Sequence, residues 1–236
     1  MSNGKYIIGR GTVLKVASLL DCDRVKPDDL IFEVGTAGTT AGATSVPITI
    51  TGTVTKNIPA SVNYPLFLNF VEPNGKDHFV EVTAPITPTS TTLTVKATKK
   101  AITAGAVAAF PVILRNRNNA NLTANDNQVD VMTFENQGWR DQVTTMLGQG
   151  LEANGYYSPL DAGWNTCLQA RLGFAEIYWE LNLPKPGCDS DTTWTKGHVI
   201  WGYGGVSMPI EVAADQVINS NISITSRGVV TFVSPT

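Results

Sequence analysis

The sequence contains few charged residues and no long apolar run. Charged residues make up 16% of the 236 residues, and the formal net charge is -3, whereas an average soluble domain is about 25% charged. The longest apolar run, residues 104–114, is interrupted by Gly105 and Pro111 and is shorter than the roughly 20 residues that cross a membrane. No apolar segment typical of a secretory signal is visible near the N-terminus. We therefore expect no membrane span and a protein that folds in a cytoplasm.

Cysteine and histidine are also scarce. The three cysteines, Cys22, Cys167 and Cys188, are widely spaced, and His78 and His198 are the only histidines. This spacing predicts neither a disulfide framework nor a zinc site. We expect reduced thiols, although a bridge between Cys167 and Cys188 remains an alternative. We expect no metal and no cofactor.

Motifs that carry catalysis are absent as well. The sequence has no nucleophile elbow, no Walker loop and no dinucleotide-binding glycine motif. His78 lies in a charged turn and His198 opens a predicted strand, so neither is a convincing general base. Lysine and arginine are scattered, which disfavours sequence-specific DNA binding. We therefore expect a structural or binding protein and no enzyme.

The chain divides into parts of different composition. Residues 33–115 are rich in Thr, Ala, Val and Pro and contain short alternating runs, which predict a small β module. Residues 116–236 contain all five tryptophans and have six basic against twelve acidic residues, a net charge of -6. A polar connector that starts at residue 116 marks the boundary. The prediction is an N-terminal arm and first core strand in 1–32, an inserted β module in 33–115, and the rest of the core in 116–236.

One helix is predicted in the C-terminal part, near residues 139–147. The apolar residues Trp139, Val143, Met146 and Leu147 fall at i, i+4, i+7 and i+8, and Gly148 follows them. This spacing is typical of a short amphipathic helix with a glycine stop.

A β-strand is predicted at residues 174–183, because apolar and polar residues alternate along it. The apolar set is Ala175, Ile177, Trp179, Leu181 and Leu183, and the set between them is Glu176, Tyr178, Glu180 and Asn182. We expect the apolar set to face the core and Glu176 and Glu180 to face water. The two glutamates are about 13 Å apart along a strand, too far for a glycosidase pair. Further strands are predicted at 198–203, 206–212, 219–225 and 229–233.

Three phrases in the C-terminal part resemble those of a known family. They are VDVMTFENQGW at residues 129–139 with the predicted helix after it, FAEIYWEL at 174–181, and VINSNISITSRGVVTFV at 217–233. Together with residues 1–30, this region resembles the major tail tube proteins of long-tailed bacteriophages. Met132 stands where that family often has Thr. Residues 33–115 resemble the Thr/Ala/Gly-rich β segments of phage virion proteins in general.

The resemblance implies a mainly β fold: a tail-tube-like β-sandwich or barrel core with one short flanking helix, plus the inserted module. It implies subunits that form hexameric rings, stacked into a tube around a tape-measure protein, with DNA passing through during ejection. Partners would be further copies of the chain, the tape-measure protein, the tail terminator and baseplate or distal tail proteins. The location would be the virion tail, assembled in the host cytoplasm. Residues 2–11 and 20–30 would supply ring-to-ring contacts.

Two other functions remain open. A head decoration or head–tail joining protein would use the same β module without forming a tube. A carbohydrate-binding or hydrolytic β domain is the third possibility, because tryptophans stack on sugars, although the alternation places Trp179 in the core. For the tube, we expect Glu176 and Glu180 to line an acidic lumen that repels DNA; the alternative is a solvated exterior strand.

Overall fold

A computed structural model describes residues 12–18, 24–131, 141–185, 195–211 and 218–235. The described residues form sixteen strands and one helix, and all strand pairing among them is antiparallel. The expected mainly β fold with one short helix is therefore confirmed. No helix in the described ranges is long and apolar enough to cross a membrane.

The elements have the following bounds. They are β1 (Val13–Ser18), β2 (Leu30–Val34), β3 (Ser45–Thr51), β4 (Leu66–Val71), β5 (Asp77–Val82), β6 (Thr92–Thr94), β7 (Val107–Phe110), β8 (Val112–Ile113), β9 (Arg117–Val131), β10 (Asp141–Gly155), α1 (Ala162–Leu172), β11 (Glu176–Asn182), β12 (Val199–Ser207), β13 (Ile210–Glu211), β14 (Asn219–Ser220), β15 (Ile222–Ser226) and β16 (Thr231–Val233).

The strands β2 to β7 form a six-stranded sheet that closes on itself. Its order is β5-β4-β7-β2-β3-β6. The two ends of this order meet, because the Thr83 N–H donates to the Thr94 carbonyl at 2.9 Å and the Lys96 N–H donates to the Glu81 carbonyl at 2.8 Å. Alternating buried residues of these strands fill the interior, among them Phe32, Phe70, Leu68 and Val80. We call this unit the small barrel.

The chain enters and leaves the small barrel at neighbouring positions. Leu30, at the start of β2, pairs with Phe110, at the end of β7. An inserted module needs such adjacent ends, because its host can then continue without a gap. The predicted boundary at residue 33 lies inside β2, so the topology favours 30–110 as the extent of the module. The division into domains itself stays a prediction.

The large sheet has the order β8-β1-β11-β12-β15-β10-β9, and β16 pairs with β12 outside this path. The helix α1 contacts β1 and β12 of this sheet and β4 of the small barrel. Asn69 of β4 accepts from the Ala162 N–H at 2.6 Å and donates to the Leu160 carbonyl at 3.0 Å, which fixes the start of the helix. A Cβ on Gly163 would lie 2.7 Å from the Leu114 Cα, so this close approach requires glycine.

The predicted helix near 139–147 is wrong. Residues 141–147 belong to β10, which pairs with β9 from Asp141 to Gly155, and Trp139 lies outside the described residues. The register shifts between Thr144 and Met146, as at a β-bulge. A bulge interrupts the two-residue period of a strand, so the apolar spacing in the sequence mimics a helix. The helix of the structure, α1, lies later in the chain, at Ala162–Leu172, with Asp161 as N-cap and Gly173 as C-cap.

Candidate assembly surfaces

The longest strands among the described residues, β9 and β10, form an antiparallel pair. The strands β9 and β10 pair along nearly their whole length, from Asp141 opposite Val131 to Gly155 opposite Arg117. β15 pairs with β10 only at residues 150–153. Residues 141–149 of β10 therefore have β9 as their only strand partner in the described structure, and the second edge of β9 has none there. We call the part of this strand pair that extends beyond β15, residues 124–131 and 141–148, the ribbon.

Unpaired strand edges present rows of backbone N–H and C=O groups to the surroundings, and such edges pair readily with other strands. A two-stranded hairpin without a covering layer is marginally stable by itself in water. At about 3.4 Å per residue, each of these 15-residue strands is about 50 Å long. The ribbon is therefore the part of the described fold that gains most from a neighbouring strand.

A charged cluster lies on the face of the large sheet that was predicted to be wet. Glu180 is 1% exposed. Its Oε1 accepts from the Asn182 amide at 2.7 Å and lies 3.3 Å from Lys15 Nζ, and its Oε2 accepts from the Tyr178 hydroxyl at 2.5 Å and lies 3.0 Å from Lys26 Nζ. Both carboxylate oxygens are thus fully partnered.

Asp29 completes this cluster from the chain before β2. Its Oδ1 is 2.8 Å from Lys15 Nζ, and its Oδ2 is 3.5 Å from Lys26 Nζ. The same segment covers the sheet, because the Tyr203 hydroxyl donates to the Val25 carbonyl at 2.6 Å. Two lysines and two carboxylates therefore form a cluster on the face of β11 that the alternation of the sequence had predicted to be in water.

The pKa values follow from these contacts. Burial opposes the charge of Glu180, but hydrogen bonds from Tyr178 and Asn182 and the charges of Lys15 and Lys26 lower its pKa to about 2. Burial also opposes the charge of Lys15, yet Asp29 and Glu180 raise the pKa of Lys15. Burial, followed by the neighbouring carboxylate of Glu180, raises the pKa of Tyr178. The carboxylate stays ionised and the phenol stays neutral at pH 7.

Glu176, the second predicted lumen residue, lies at the start of β11. Its Oε1 is 3.0 Å from Arg24 Nη2 and 3.4 Å from Arg227 Nη1, and its side chain is 14% exposed. The expectation that both glutamates face water is wrong for Glu180, which is buried, and Glu176 is largely covered by the two arginines. Whether this strand lies beside a lumen stays a prediction.

The roles of Lys15, Lys26 and Asp29 were not predicted from the sequence. The alternation along β11 is real, but residues 177–181 are all buried, because the second face of the strand is covered too. The covering residues come from the N-terminal part of the chain, about 150 positions away. The only available signal was the apolar Val25 between charged residues, which does not identify a partner.

The tryptophans that motivated a sugar-binding function are buried or half-buried where they are described. Trp179 is 0% exposed and Trp164 is 3% exposed, which confirms the expected core position of Trp179. The Trp164 indole N–H donates to Ser220 Oγ at 2.9 Å. Trp201 is half-buried, with its ring centroid 5.9 Å from that of Tyr178. Trp139 and Trp194 lie outside the described residues.

The histidines and cysteines have separate surroundings. His78 Nε2 lies 2.9 Å from Glu72 Oε1 inside the small barrel, and His198 is exposed. Cys167 is a free thiol in α1, and burial raises its pKa to about 12. Cys22 and Cys188 lie outside the described residues. Within those residues, no group of three His, Cys, Asp or Glu side chains is close enough to bind a metal ion.

Comparison with known proteins gave few matches. No family model matches the chain, and no curated protein matches it. A chain from the tail of an empty gene transfer agent (GTA) particle, refined helically with C6 symmetry, matches 52% of this chain and 85% of its own length, with a TM-score of 0.41 and 14% identity. A chain from the virion of a native GTA particle matches 52% of this chain and 88% of its own length, with a TM-score of 0.41 and 15% identity. Similarity this low does not assign a function.

Proposed function

We propose that this protein is a structural subunit of a virion tail, which assembles with copies of itself into stacked rings that form a tube. The observation that carries the proposal is that, among the described residues, one edge of β9 and one edge of residues 141–149 of β10 have no strand partner. Antiparallel addition of strands from neighbouring copies would satisfy those N–H and C=O groups. A closed ring has no remaining edge, which is the physical advantage of a barrel-like assembly.

The sequence phrases that resemble tail tube proteins support the same proposal. Where they are described, most of their residues in strands lie in the large sheet: residues 129–131 end β9, residues 176–181 lie in β11, residues 222–226 form β15 and residues 231–233 form β16. Residues 219–220 form β14, which pairs with β13 outside that sheet. The small barrel contains none of these phrases. The proposed assembly unit is therefore the large sheet, with the small barrel at its periphery.

This proposal includes the finer points of the resemblance. We expect hexameric rings, stacking around a tape-measure protein, contacts with tail terminator and distal tail proteins, a virion location after assembly in a host cytoplasm, and no enzymatic role. DNA would pass through during ejection without sequence-specific contacts. If β11 lies beside the lumen, Glu180 is buried and Glu176 is paired with arginines, so any repulsion of DNA must come from other acidic residues.

A shortened hairpin tests the proposal. Ala124 and Gln149 are register partners, so residues 125–148 can be replaced by Asn-Gly, which closes a two-residue β-hairpin loop. The pairing of β10 with β15 at residues 150–153 is retained. We expect the shortened protein to stay folded and monomeric, whereas the full chain forms rings or tubes in sedimentation velocity and electron microscopy.

The matched control removes residues 30–110, which lie away from the unpaired edges, and this variant should still assemble. Assembly of the shortened protein at the same concentration as the full chain would contradict the proposal. Closed particles or isolated rings without stacking in the full chain would instead favour the head decoration or head–tail joining function.

A further inference from the structure

A cavity of about 100 Å³ lies between the small barrel and the segment that precedes α1. One part of its lining is apolar and includes Phe79 of β5 and Leu160. Another part carries charge and includes Lys99, Lys100 and Asp77. One water molecule needs about 10–15 Å³ of such volume, so this cavity has room for a small ion. We call it the barrel cavity.

The loop that carries the two lysines is held at both of its ends. Before the loop, the Thr98 N–H donates to the Ala43 carbonyl at 3.0 Å. After the loop, Ile102 and Thr39 exchange both of their backbone hydrogen bonds, at 3.2 and 2.8 Å. The backbone on which the lysines stand is therefore fixed before any ligand arrives. A ligand has to order only the lysine side chains, which keeps the entropic cost of binding low.

The positive charge of this loop is not neutralised by the described part of the chain. Lys99-Lys100 is the only pair of adjacent basic residues in the sequence. Both lysines are exposed, and neither forms an ion pair with a described residue. Asp77 lines the same cavity, but its Oδ1 lies 2.7 Å from Arg115 Nη1, so an arginine already balances this carboxylate. The two lysines thus leave the cavity with an excess of positive charge.

The buried wall of the cavity includes His78, which belongs to a closed hydrogen-bond group. His78 Nε2 lies 2.9 Å from Glu72 Oε1, and Glu72 Oε2 accepts from the Asn74 side-chain amide at 2.9 Å. The backbone N–H of Thr103 also donates to Glu72 Oε1, at 3.1 Å. Glu72 therefore has its partners inside the small barrel and is not one of the described lining residues. The accessible charges of the cavity are those of the lysines and Asp77.

We propose that the barrel cavity binds a small organic phosphate, with the phosphate group at Lys99 and Lys100 and the organic part against Phe79 and Leu160. A lysine ammonium is a compact charge with three donors, which suits phosphate oxygens. Apolar walls focus the field of charges in a cleft and so favour the anion further. The site lies in a different part of the chain from the edges of β9 and β10, so it adds a binding function to the proposed assembly.

Titration of the full chain with three probes tests the ligand class. The probes are phenyl phosphate, inorganic phosphate and phenol, followed by calorimetry in low salt. We expect phenyl phosphate to bind about tenfold more tightly than inorganic phosphate, because burial of its ring adds affinity. Phenol lacks the charge and should show no measurable binding. Affinity for phenyl phosphate should fall as salt is added, since salt screens the lysine charges.

Substitutions in the lining should change this affinity in opposite directions. Lys99→Ala combined with Lys100→Ala should weaken phenyl phosphate binding at least about tenfold, through loss of the charged donors. Asp77→Asn should strengthen it about threefold, because it removes a carboxylate from the lining. Lys76→Ala changes the charge equally at an exposed lysine beside the cavity and is the matched control, with an unchanged affinity. Thermal melts of the lysine variants should match the wild type, since these side chains are exposed.

Protection from acetylation locates the bound phosphate. Phenyl phosphate should slow acetylation of Lys99 and Lys100, measured by peptide mass spectrometry, and should leave Lys76 unchanged. Equal protection of all three lysines, or an equal loss of affinity in Lys76→Ala, would show a general charge effect and overturn the inference.

Two further results would also overturn it. Phenyl phosphate that binds no more tightly than inorganic phosphate would show that the apolar wall takes no part. Binding of a short oligothymidylate, lost in the double lysine variant, without binding of phenyl phosphate would show a nucleic-acid contact. Each of these failures leaves the proposed assembly untouched, because that is measured by ring and tube formation.

Discussion

The small barrel and the large sheet differ in whether the strands at their ends are paired. In the small barrel, the edge strands β5 and β6 meet through backbone hydrogen bonds between residues 81–83 and 94–96. Among the described residues of the large sheet, β9 has no strand partner on its outer edge, and β10 extends beyond its pairing with β15. The strands at the two ends of the first sheet are paired with each other. In the second sheet the described end strand is not paired in this way, which is why we propose that this sheet carries the self-assembly.

The charged groups of the two units differ in number and in their separation along the chain. The small barrel contains one compact buried pair, His78 with Glu72, and the backbone N–H of Thr103 is the main reason why the pKa of Glu72 is lowered to about 2. The large sheet has a cluster of four charged groups, in which Lys15 and Lys26 each contact Glu180 and Asp29. The pair in the small barrel is formed within one stretch of the chain, whereas the cluster on the large sheet needs residues that are about 150 positions apart.

The largest expected effect comes from a cavity in one core. Phe70→Ala in β4 and Trp179→Ala in β11 remove side chains that are 0% exposed, and each should lower the free energy of unfolding of its unit by about 3–5 kcal/mol. All five tryptophans lie outside the small barrel. Tryptophan fluorescence therefore reports the unfolding of the part of the chain outside the small barrel, and amide hydrogen exchange of residues 66–82 reports the unfolding of the small barrel.

If the two units are independent, Phe70→Ala moves the barrel transition and changes the fluorescence transition by less than about 1 kcal/mol. Phe232→Ala, on an exposed side chain of β16, is the control and should change stability by less than about 0.5 kcal/mol. Equal shifts in both probes after Phe70→Ala would show that the small barrel and the large sheet unfold as one cooperative unit, which would contradict their independence.

Removal of the small barrel should have the next largest effect. Residues 30–110 can be replaced by Gly-Ser-Gly, because Leu30 and Phe110 are paired neighbours. The variant loses the two hydrogen bonds of Asn69 to the start of α1 and the ion pair between Asp77 and Arg115. We expect a folded protein that is less stable by about 3 kcal/mol and that still assembles. A variant that is insoluble or fails to fold would show that the barrel is part of the core.

The strands were easier to predict from sequence than their surroundings. Alternation placed a strand at 174–183, and the structure has β11 at Glu176–Asn182. The burial of Glu180 could not be predicted, because it depends on Lys26 and the rest of residues 24–29, which reach the strand only through the tertiary fold.

The helix shows a different kind of error. The spacing near 139–147 favoured a helix over β10, whereas α1 has a weak apolar stripe: its buried residues include glycine, threonine and cysteine. Its end signals were present, with Asp161 before the first turn and Arg171 and Gly173 at the end. Capping residues were thus better evidence than apolar spacing, because a bulged strand can imitate that spacing.

Glu180→Gln should have a moderate effect that depends on pH. It removes the charge that partners Lys15 and Lys26, so we expect a loss of about 2 kcal/mol at pH 7. The folded-state pKa of Glu180 is about 2, lowered from 4.5. Its stabilisation is therefore present above about pH 4.5 and is lost as the pH falls toward 2.

Urea unfolding at several pH values measures this difference. The gap between wild type and Glu180→Gln should be constant from pH 7 to 5 and should shrink below pH 4.5. Glu33→Gln in β2, an exposed carboxylate of the small barrel, is the control and should show little difference at any pH. A gap that does not change with pH would mean that Glu180 acts through shape and not through its charge.

The smallest expected effect is at the N-cap of α1, where both units meet. Asp161 Oδ2 accepts from the backbone N–H of Trp164 at 3.1 Å and of Arg115 at 3.2 Å, and burial raises the pKa of Asp161. Because the folded-state pKa is raised, ionisation of this carboxyl costs stability as the pH rises through that pKa. Asp161→Asn keeps an acceptor without the charge, so it should be within about 0.5 kcal/mol of the wild type at pH 7. Asp161→Ala removes the cap and should cost about 1 kcal/mol. Equal losses for the two variants would show that the charge of Asp161, acting with the nearby Arg115 and Arg117, stabilises the helix start more than its hydrogen bonds do.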